Sequence, residues 1–411
     1  MTAAPRPEPP GETMVRKPFN GSFTQQEPLP EAAVTAAIEV MQSGRLHRYN
    51  LAGGESSAVS VFEREYAKWQ GSRYCLALTS GGQAMQIALR AAGVNGGDPV
   101  LTNAFTLAPV PGAVAGVGAE AILVEIDENL VLDFDDLAQK AAASGSKTLL
   151  LSHMRGHLCD MDALLELTDR LGVTVIEDCA HTMGATWNGK RSGNFGRAAC
   201  FSTQTYKHIN SGEGGLLTSD DAELMAQATI LSGSYMLYER HGAAPDRGWF
   251  ENPRLAMPNL SARMDNVRAA LLRPQLETLE TNVNRWNARY AAVAEVLSTC
   301  THIRLPGRPA AEGLVGSSIQ FRVPDLVGQH AKALVANAAA LGVELKWFGA
   351  EHPAGFTSAH RHWQYLRTQR LPRTDKVLAS LFDMRLPLTF SEVDCSEIAD
   401  IIVHCVNELL Q

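Results

Sequence analysis

The stretch around Lys207 contains the residue types that amine chemistry needs. Lys207 follows a short apolar run at residues 198–201 and four residues with hydroxyl or amide side chains. It precedes the glycine-rich run Gly212-Glu213-Gly214-Gly215. Burial among apolar neighbours lowers the pKa of a lysine, and an unprotonated lysine forms a Schiff base with a carbonyl. The competing interpretation is a solvated lysine in a surface loop, since lysines are mostly exposed.

Two other segments place an acid and small residues at strand ends. Asp178 ends the β-branched run that begins at residue 173, and an acid there faces the crevice where open α/β sheets bind ligands. Ser80-Gly81-Gly82 ends another apolar run and opens a helix-like segment, whose free backbone N–H groups suit a phosphate. A lysine, a buried acid and a phosphate cup are together what pyridoxal 5′-phosphate requires, because the acid keeps the ring nitrogen protonated.

These segments resemble those of the DegT/StrS-type aminotransferases, a branch of the fold-type I pyridoxal-phosphate enzymes that mostly aminate keto sugars or cyclitols. The resemblance covers most of the chain from about residue 28 onwards. It rests on three motifs, which are Glu177-Asp178-Cys179-Ala180-His181, Ser202 with Lys207 five positions before Gly212, and Asn259-Leu260-Ser261-Ala262-Arg263-Met264.

The resemblance implies roles for single residues. It implies that Lys207 holds the cofactor as a Schiff base and later moves the proton, and that Asp178 pairs with the pyridine nitrogen. The other implied contacts are His181 to the ring hydroxyl, Phe105 stacked on the ring, Gly81, Gly82 and Ser202 to the phosphate, and Asn259 to the phosphate of the partner in a homodimer.

Two positions depart from the family pattern. Gly82 stands where the family has the threonine of its phosphate cup, so Ser80 or the backbone alone must serve. His208 directly follows Lys207, and in a dehydratase offshoot of the family a histidine replaces the lysine itself. The spacing to Gly212 assigns the family position to Lys207 and predicts a competent lysine.

Strands and helices alternate along the chain, which predicts an α/β fold with a mainly parallel sheet covered by helices on both faces. The predicted strands are residues 74–78, 99–102, 121–126, 148–152, 173–177, 198–201 and 216–218. The predicted helices between them are residues 82–92, 108–115, 134–143 and 161–171. With the resemblance, this pattern implies the fold-type I architecture, in which a large domain with a seven-stranded sheet precedes a smaller α+β domain.

Three regions are expected along the chain. Residues 1–20 are rich in proline, alanine and charge and predict a disordered tail. Residues 21–260 are expected to form the large cofactor-binding domain, with an N-terminal helical segment. Residues 261–411 are expected to hold a linking helix at 265–290 and the small domain, with strands at 319–323 and 343–348 and helices at 329–341 and 391–410.

Composition narrows the class of protein. The chain has 411 residues, 45% of them hydrophobic, and a net charge of −8, which suits a large and a small domain and argues against a nucleic-acid partner. Its seven cysteines are scattered without a CxxC pair, which is typical of reduced, buried thiols. We find neither a signal-peptide pattern nor a membrane-spanning pattern, and we expect a cytoplasmic protein.

Substrate contacts are expected from two polar segments. One is the loop at residues 43–50, which includes Tyr49 and for which a solvated loop is the alternative. The other contains Arg155 and His157. His153 and His157 are four apart, but Gly156 between them and the lack of a helical pattern argue against a zinc pair, so no metal is expected.

The expected reaction is a transamination in two halves. Glutamate or glutamine gives its amino group to the cofactor, and a keto sugar, sugar nucleotide, cyclitol or related intermediate then receives it. Two alternatives stay open. One is a dehydratase or aromatising enzyme of the aminohydroxybenzoate-synthase kind, since residues 178–185 resemble both branches. The other is a non-catalytic regulatory protein that binds the cofactor, against which an intact Lys207 and Asp178 argue.

Overall fold

A seven-stranded sheet forms the centre of the chain, whose computed structural model describes residues 17–411. The strands of these residues are β1 (Tyr74–Leu78), β2 (Pro99–Asn103), β3 (Glu120–Val124), β4 (Thr148–Ser152), β5 (Thr174–Asp178), β6 (Thr186–Trp187), β7 (Lys190–Arg191), β8 (Ala198–Ser202), β9 (Gly215–Ser219), β10 (Glu312–Gly313), β11 (Ser318–Arg322), β12 (Lys346–Trp347) and β13 (Leu381–Arg385). The large sheet has the order β1-β9-β8-β5-β4-β2-β3, and only β9 runs antiparallel to its neighbours. The predicted seven-stranded, mainly parallel sheet is confirmed.

Helices connect the strands and cover both faces of this sheet. They are α1 (Glu31–Ser43), α2 (Ala58–Gln70), α3 (Gly81–Ala91), α4 (Pro109–Gly116), α5 (Phe134–Ser144), α6 (Met161–Leu171), α7 (Ala222–Ser232), α8 (Pro253–Ala256), α9 (Asn266–Leu297), α10 (Gln329–Ala340), α11 (Pro372–Leu378) and α12 (Glu392–Leu410). Among the described residues, every helix is too short or too polar to span a membrane.

The central strands are apolar on both sides because both faces are covered. Leu149 and Leu151 of β4 belong to one buried cluster, whereas Leu150 between them belongs to the cluster on the opposite face. Side chains alternate across a strand, so a strand covered twice reads as a continuous apolar run. This arrangement explains why the sequence of β4 shows no alternation of polar and apolar residues.

Capping side chains fix where several helices begin. The Ser80 hydroxyl accepts a hydrogen bond from the backbone N–H of Gln83 at the start of α3, and the Asp265 carboxylate does the same for Arg268 at the start of α9. An N-cap oxygen satisfies one of the N–H groups that a helix start leaves free. The N-cap of α9 is therefore Asp265 and not Asn259, the nearby residue for which the sequence implies a phosphate contact.

The small C-terminal sheet has the order β11-β13-β12 and packs against α10, α12 and the end of α9. Trp286 of α9 packs with the core of the large sheet, and Tyr290 packs with the core of the small one. α9 therefore passes from the core of the large sheet to the core of the small sheet between Trp286 and Tyr290. The boundary between the two domains lies there rather than at residue 261, where the sequence predicts it. The linking helix also extends beyond the predicted residue 290, to Leu297.

Two further expectations are corrected. Residues 1–16 of the expected tail lie outside the described residues, but Phe19 is buried and packs edge-on against Phe23 and Phe390, so ordered chain begins before residue 20. The strand expected at 343–348 is shortened to Lys346–Trp347, since Val343 instead enters the buried cluster beside α10.

Candidate active site

Lys207 lies in the loop that leaves the sheet beside Asp178. Asp178 is the last residue of β5 and Ser202 is the last residue of β8. These two strands run parallel, with Asp178 opposite Cys200, so both strand ends lie at the same edge of the sheet. Lys207 comes five positions after β8. It is close enough to Asp178 that the carboxylate raises the pKa of Lys207, in opposition to burial, which lowers it. The fold thus brings the predicted lysine and acid together.

The glycine-rich run after Lys207 is required for close packing. A Cβ atom on Gly214 would lie 2.2 Å from the Thr203 hydroxyl oxygen, and one on Gly215 would lie 2.3 Å from the backbone carbonyl of Ser80. Gly214 lets the loop close on Thr203, and Gly215 lets it approach Ser80 at the start of α3. The motif therefore positions Lys207 relative to the phosphate cup.

Lys207 faces His181 across a short polar contact. The Lys207 Nζ atom is 2.9 Å from His181 Nε2, and the backbone N–H of Arg155 donates to His181 Nδ1 at 3.4 Å. Since Nδ1 accepts a hydrogen bond, the proton of neutral His181 resides on Nε2 and is donated to Lys207, whose amine must then be unprotonated.

Burial, followed by the positive charge of Arg155, lowers the pKa of Lys207 to about 7. Burial and the neighbouring Lys207 likewise hold the pKa of His181 well below its usual range. A neutral histidine beside a largely unprotonated lysine is a suitable setting for an amine nucleophile.

Asp178 is buried and anchored by two donors. The Ser152 hydroxyl donates to Oδ2 at 3.0 Å and the Ala180 N–H donates to Oδ1 at 3.2 Å, while the Thr106 hydroxyl supports Ser152 at 2.7 Å. Burial nevertheless raises the pKa of Asp178, because desolvation outweighs these bonds. A cationic group placed against the carboxylate would restore its charged form, and a protonated ring nitrogen is such a group.

The predicted phosphate cup is formed by the start of α3 and the end of β8. A Cβ atom on Gly81 would lie 3.0 Å from the Ser202 Cβ atom, so the helix start and Ser202 are in direct contact. Ser80, Gly81, Gly82 and Ser202 are all only partly buried. The Ser80 hydroxyl already caps α3, so the free N–H groups of the helix and the Ser202 hydroxyl are the donors available to an anion.

A cavity opens directly in front of Lys207. Its lining includes His181, Tyr206, Lys207, Phe356, Arg155 and Arg385. The structure therefore places Arg155, which the sequence suggested as a substrate contact, on the cavity wall. Arg385, at the end of β13, was missed because an arginine near the close of a strand carries no distinguishing signal in one sequence.

Phe105 does not reach this cavity. It is 1% exposed and packs edge-on against Phe348, with 5.0 Å between the ring centroids. Leu107, two residues further on, lines the cavity instead and packs on the same cluster. Leu107 therefore lies at the cavity wall, whereas the stacking contact expected of Phe105 stays a prediction.

His157 and Tyr49, which were expected to contact the substrate, do not line this cavity. His157 lies behind the cavity wall, where its Nε2 atom is 2.8 Å from Gln320 Oε1 and burial lowers its pKa well below the usual value. The Tyr49 hydroxyl is 3.0 Å from His241 Nδ1 within a buried part of the same chain. Both polar groups already have partners, so they support the walls rather than face the cavity.

Asn259 lies on the surface, beside the end of β1. Its Oδ1 atom accepts a hydrogen bond from the backbone N–H of Ser261 at 2.9 Å, and Ser261 has a left-handed φ of 51°. The backbone of this segment continues along β1, with the Thr79 N–H donating to the Ala262 carbonyl at 3.0 Å. Because the Ser261 N–H holds Oδ1, the side-chain amide of the exposed Asn259 is oriented, and its nitrogen remains a hydrogen-bond donor at the surface.

One group of side chains has the spacing of metal ligands. The nearest ligand atoms of His153, Glu177 and Cys179 lie within 4.8 Å of one another. Glu177, however, already accepts hydrogen bonds from His153 and from three backbone N–H groups, those of Gly193, Phe195 and Gly196. Burial also raises the pKa of Cys179 well above its usual value, which disfavours the thiolate a metal needs. This cluster is better explained as a structural network.

The residues at this edge of the sheet fit pyridoxal phosphate. A lysine with a lowered pKa, a buried carboxylate in need of a cation and a helix start open to an anion lie at the same edge of the sheet. Each matches one functional group of the cofactor, namely the aldehyde, the ring nitrogen and the phosphate.

Comparison with known proteins agrees with this geometry. The sequence profile of the DegT/DnrJ/EryC1/StrS aminotransferase family matches residues 30–403. The chain is 30% identical over 307 residues to the 3-amino-5-hydroxybenzoate synthase of Amycolatopsis mediterranei, covering 74% of this chain and 76% of that one. It is 32% identical over 314 residues to the dTDP-3-amino-3,4,6-trideoxy-alpha-D-glucose transaminase of Streptomyces venezuelae, covering 75% and 73%.

A solved structure also shares the fold. The crystal structure of 3-amino-5-hydroxybenzoic acid synthase superposes with a TM-score of 0.81 at 25% identity, covering 96% of this chain and 100% of that one. The match spans nearly the whole of both chains, so the two proteins share their overall fold.

Proposed function

Because the chain belongs to the DegT/DnrJ/EryC1/StrS aminotransferase family, we propose that it binds pyridoxal 5′-phosphate at Lys207. We propose further that it moves an amino group from glutamate or glutamine to the keto group of a sugar, cyclitol or related biosynthetic intermediate. The observation that carries this proposal is the buried Lys207 amine, 2.9 Å from His181 Nε2 at the strand edge that holds Asp178, with its pKa lowered to about 7.

Each of these residues has a distinct role in the proposed reaction. When bound, the cofactor supplies an electron sink for the carbanion formed at the amino-acid α carbon. Lys207 accepts and returns the proton, since a pKa of about 7 lets its amine act in both directions near neutral pH. Asp178 keeps the ring nitrogen protonated, and the start of α3 with Ser202 holds the phosphate.

We also propose a homodimer with shared sites. The cup residues Gly81, Gly82 and Ser202 are only partly buried, and Asn259 is exposed at the surface, with its side-chain oxygen held by Ser261. Val34, Ile38 and Met41 form an exposed apolar stripe on α1, with exposed fractions of 44%, 42% and 53%. Pairing of two chains would bury such a stripe and complete each cup with a partner residue.

The donor half-reaction tests the proposed function. Glutamate or glutamine added to the purified, cofactor-loaded protein should convert the aldehyde form to the amine form, seen as a change in the absorbance spectrum. Lys207→Ala should lose this conversion, and borohydride should no longer fix cofactor to the protein. Lys190→Ala, which removes a lysine outside the cavity, is the matched control. A protein that stays in the aldehyde form with both donors overturns the aminotransferase proposal and leaves the cofactor-binding regulator and the aromatising enzyme.

The aromatising alternative stays relevant because one matched relative is named a 3-amino-5-hydroxybenzoate synthase. Mass analysis of products separates the two reactions. Transamination replaces a keto oxygen by an amino group, whereas aromatisation removes a molecule of water from the substrate. A panel of keto sugars, keto cyclitols and ring ketones, each incubated with donor and enzyme, would show which product forms.

A further inference from the structure

The cavity in front of Lys207 has more positive than negative side chains. Arg155 and Arg385 line it, and the positive charge of Lys346 is close enough to lower the pKa of Lys207. Asp383 is the carboxylate that faces this group, at 2.7 Å from Arg155 and 3.4 Å from Lys346. One carboxylate cannot neutralise three cations, so the cavity has a positive excess that an anionic ligand would balance.

Arg155 is buried without full hydrogen bonding. It is 7% exposed, and its Nε and one terminal nitrogen have no hydrogen-bond partner among the described residues, although that terminal nitrogen is within ion-pair distance of Asp383. Its backbone has a left-handed φ of 57°, which is costly for a residue other than glycine. Unpaired buried donors cost free energy unless a ligand accepts from them.

Arg385 is held flat against an aromatic ring. Its guanidinium carbon lies 3.7 Å from the centroid of the Tyr206 ring. No carboxylate among residues 17–411 lies within ion-pair distance of it. Burial and the neighbouring Arg155 lower the pKa of Arg385, which shows that the two guanidinium groups share one space. A guanidinium fixed on one face presents its edge, the part that binds a carboxylate with two parallel hydrogen bonds.

From these observations we propose that Arg155 and Arg385 form a carboxylate subsite for the acceptor. The preferred acceptor would then be a ketone that carries a carboxylate, rather than a neutral sugar. This inference rests on the proposed aminotransferase function and specifies its substrate class. Arg155 and Arg385 act as specificity-determining residues that orient the keto group towards Lys207.

The size of the cavity does not decide between a small and a large anion. Its empty space, including the opening to solvent, is about 730 Å³. Such a space admits a small ring with a carboxylate as well as a larger anion, and the binding test below therefore includes both. The cofactor phosphate is assigned elsewhere, because the start of α3 does not line the cavity.

The acceptor half-reaction provides the first test. The enzyme is converted to its amine form with glutamate, freed of donor and mixed with 3-oxocyclohexane-1-carboxylate or with the matched amide, 3-oxocyclohexane-1-carboxamide. The wild-type protein should react with the acid on the order of tenfold to hundredfold faster, the usual worth of hydrogen bonds to a charged group. Arg385→Gln should remove this preference, and Arg385→Lys should keep part of it because the charge remains. Arg367→Gln, at an arginine side chain that is 82% exposed and outside the cavity, is the control.

Equilibrium binding provides a second test that needs no turnover. Trp286 lines the cavity, so its fluorescence should change when a ligand enters. The carboxylate should bind more tightly than the amide to the wild type, and equally weakly to Arg385→Gln. Uridine diphosphate is the competing probe. Equal binding of acid and amide, no measurable binding of either, or tighter binding of uridine diphosphate overturns the carboxylate subsite.

The two tests separate this inference from the proposed function. If glutamate fails to produce the amine form in wild-type protein, the aminotransferase proposal fails, and the binding test still decides whether the cavity selects carboxylates. If the amine form appears but the acid and the amide react equally, the function stands and the carboxylate subsite is wrong. If Arg385→Gln slows only the donor half-reaction, the arginine serves the donor and the acceptor proposal is again wrong.

Discussion

A lysine amine is a nucleophile only in its unprotonated form, and the surroundings of Lys207 supply that form near neutral pH. Burial is the largest cause of its lowered pKa, and the positive charge of Arg155 adds to it. The backbone N–H of Arg155 donates to His181 Nδ1, which places the proton of the neutral imidazole on Nε2, facing the Lys207 amine. An amine that accepts a hydrogen bond from this N–H is unprotonated. Two independent features of the site therefore favour the same protonation state.

The pH dependence of cofactor binding should report this pKa. Because the pKa of Lys207 is lowered to about 7, the reactive fraction rises as the pH increases through 7 and is nearly complete two units above it. The rate at which cofactor-free protein forms a borohydride-reducible bond with pyridoxal phosphate should therefore reach half its maximum near pH 7. Stopped-flow absorbance from pH 5 to 10 measures this rate, and a midpoint above 9 would show an ordinary, solvated lysine.

Asp178 should be needed for catalysis more than for folding. Asp178→Asn keeps the size of the side chain but removes the charge that holds a ring nitrogen protonated. We expect turnover to fall by at least about a hundredfold, which corresponds to about 3 kcal/mol of lost transition-state stabilisation. Steady-state kinetics measure the fall, and circular dichroism checks that the fold is retained. Near-normal turnover together with normal cofactor affinity would refute the assigned role.

At the scale of elements, the phosphate cup depends on how closely β9 approaches the turn between β1 and α3. A Cβ atom on Gly215 would lie 2.3 Å from the Ser80 carbonyl, so no side chain fits without separating the two segments. The Lys207 loop and the proposed cup are thus fixed to each other through one glycine. If the cup holds the cofactor phosphate as proposed, this contact links the strand pairing of β1 and β9 to cofactor binding.

Gly215→Ala should weaken both the fold and the cup. We expect a loss of about 1–3 kcal/mol in the free energy of unfolding, the usual cost of forcing extra atoms into a packed site, and a larger dissociation constant for pyridoxal phosphate. Denaturant unfolding and a cofactor titration measure the two effects. Gly248→Ala is the matched control, since a Cβ atom there has no heavy atom within 4 Å. Equal behaviour of the two variants would contradict the packing argument.

Features that depend on residues close together in the sequence could be predicted, whereas features that depend on contacts between distant segments could not. The seven strands and the capped helices follow from local runs and local hydrogen bonds, which a single sequence displays. Arg385 could not be found this way, because it reaches the cavity through the pairing of β13 with β11, far from Lys207 along the chain. The family resemblance named Phe105, and it gave no sign that Leu107, two residues further on, lines the cavity in front of Lys207.

At the scale of the whole molecule, the site is expected to close only when two chains pair. Asn259 orients its amide through Ser261, and Asp265 rather than Asn259 caps α9, so the outward-facing donor has no role in the start of that helix. If the partner's cofactor phosphate receives this donor, the monomer lacks a complete cup and binds cofactor weakly. Cofactor affinity would then depend on protein concentration, because pairing and binding are coupled.

A mixing experiment tests this arrangement. Asn259→Ala protomers keep Lys207, and Lys207→Ala protomers keep Asn259, so a mixed dimer with shared sites has one site with both lesions and one with neither. At equal amounts and full exchange, roughly a quarter of all sites become complete, because half of the dimers are mixed and each holds one intact site. Activity should therefore reappear when two inactive preparations are combined, measured after the subunits are allowed to exchange. If both parents are strongly impaired and tagged protomers show that mixed dimers form, yet no activity returns, each site is built from one chain alone and Asn259 serves its own protomer.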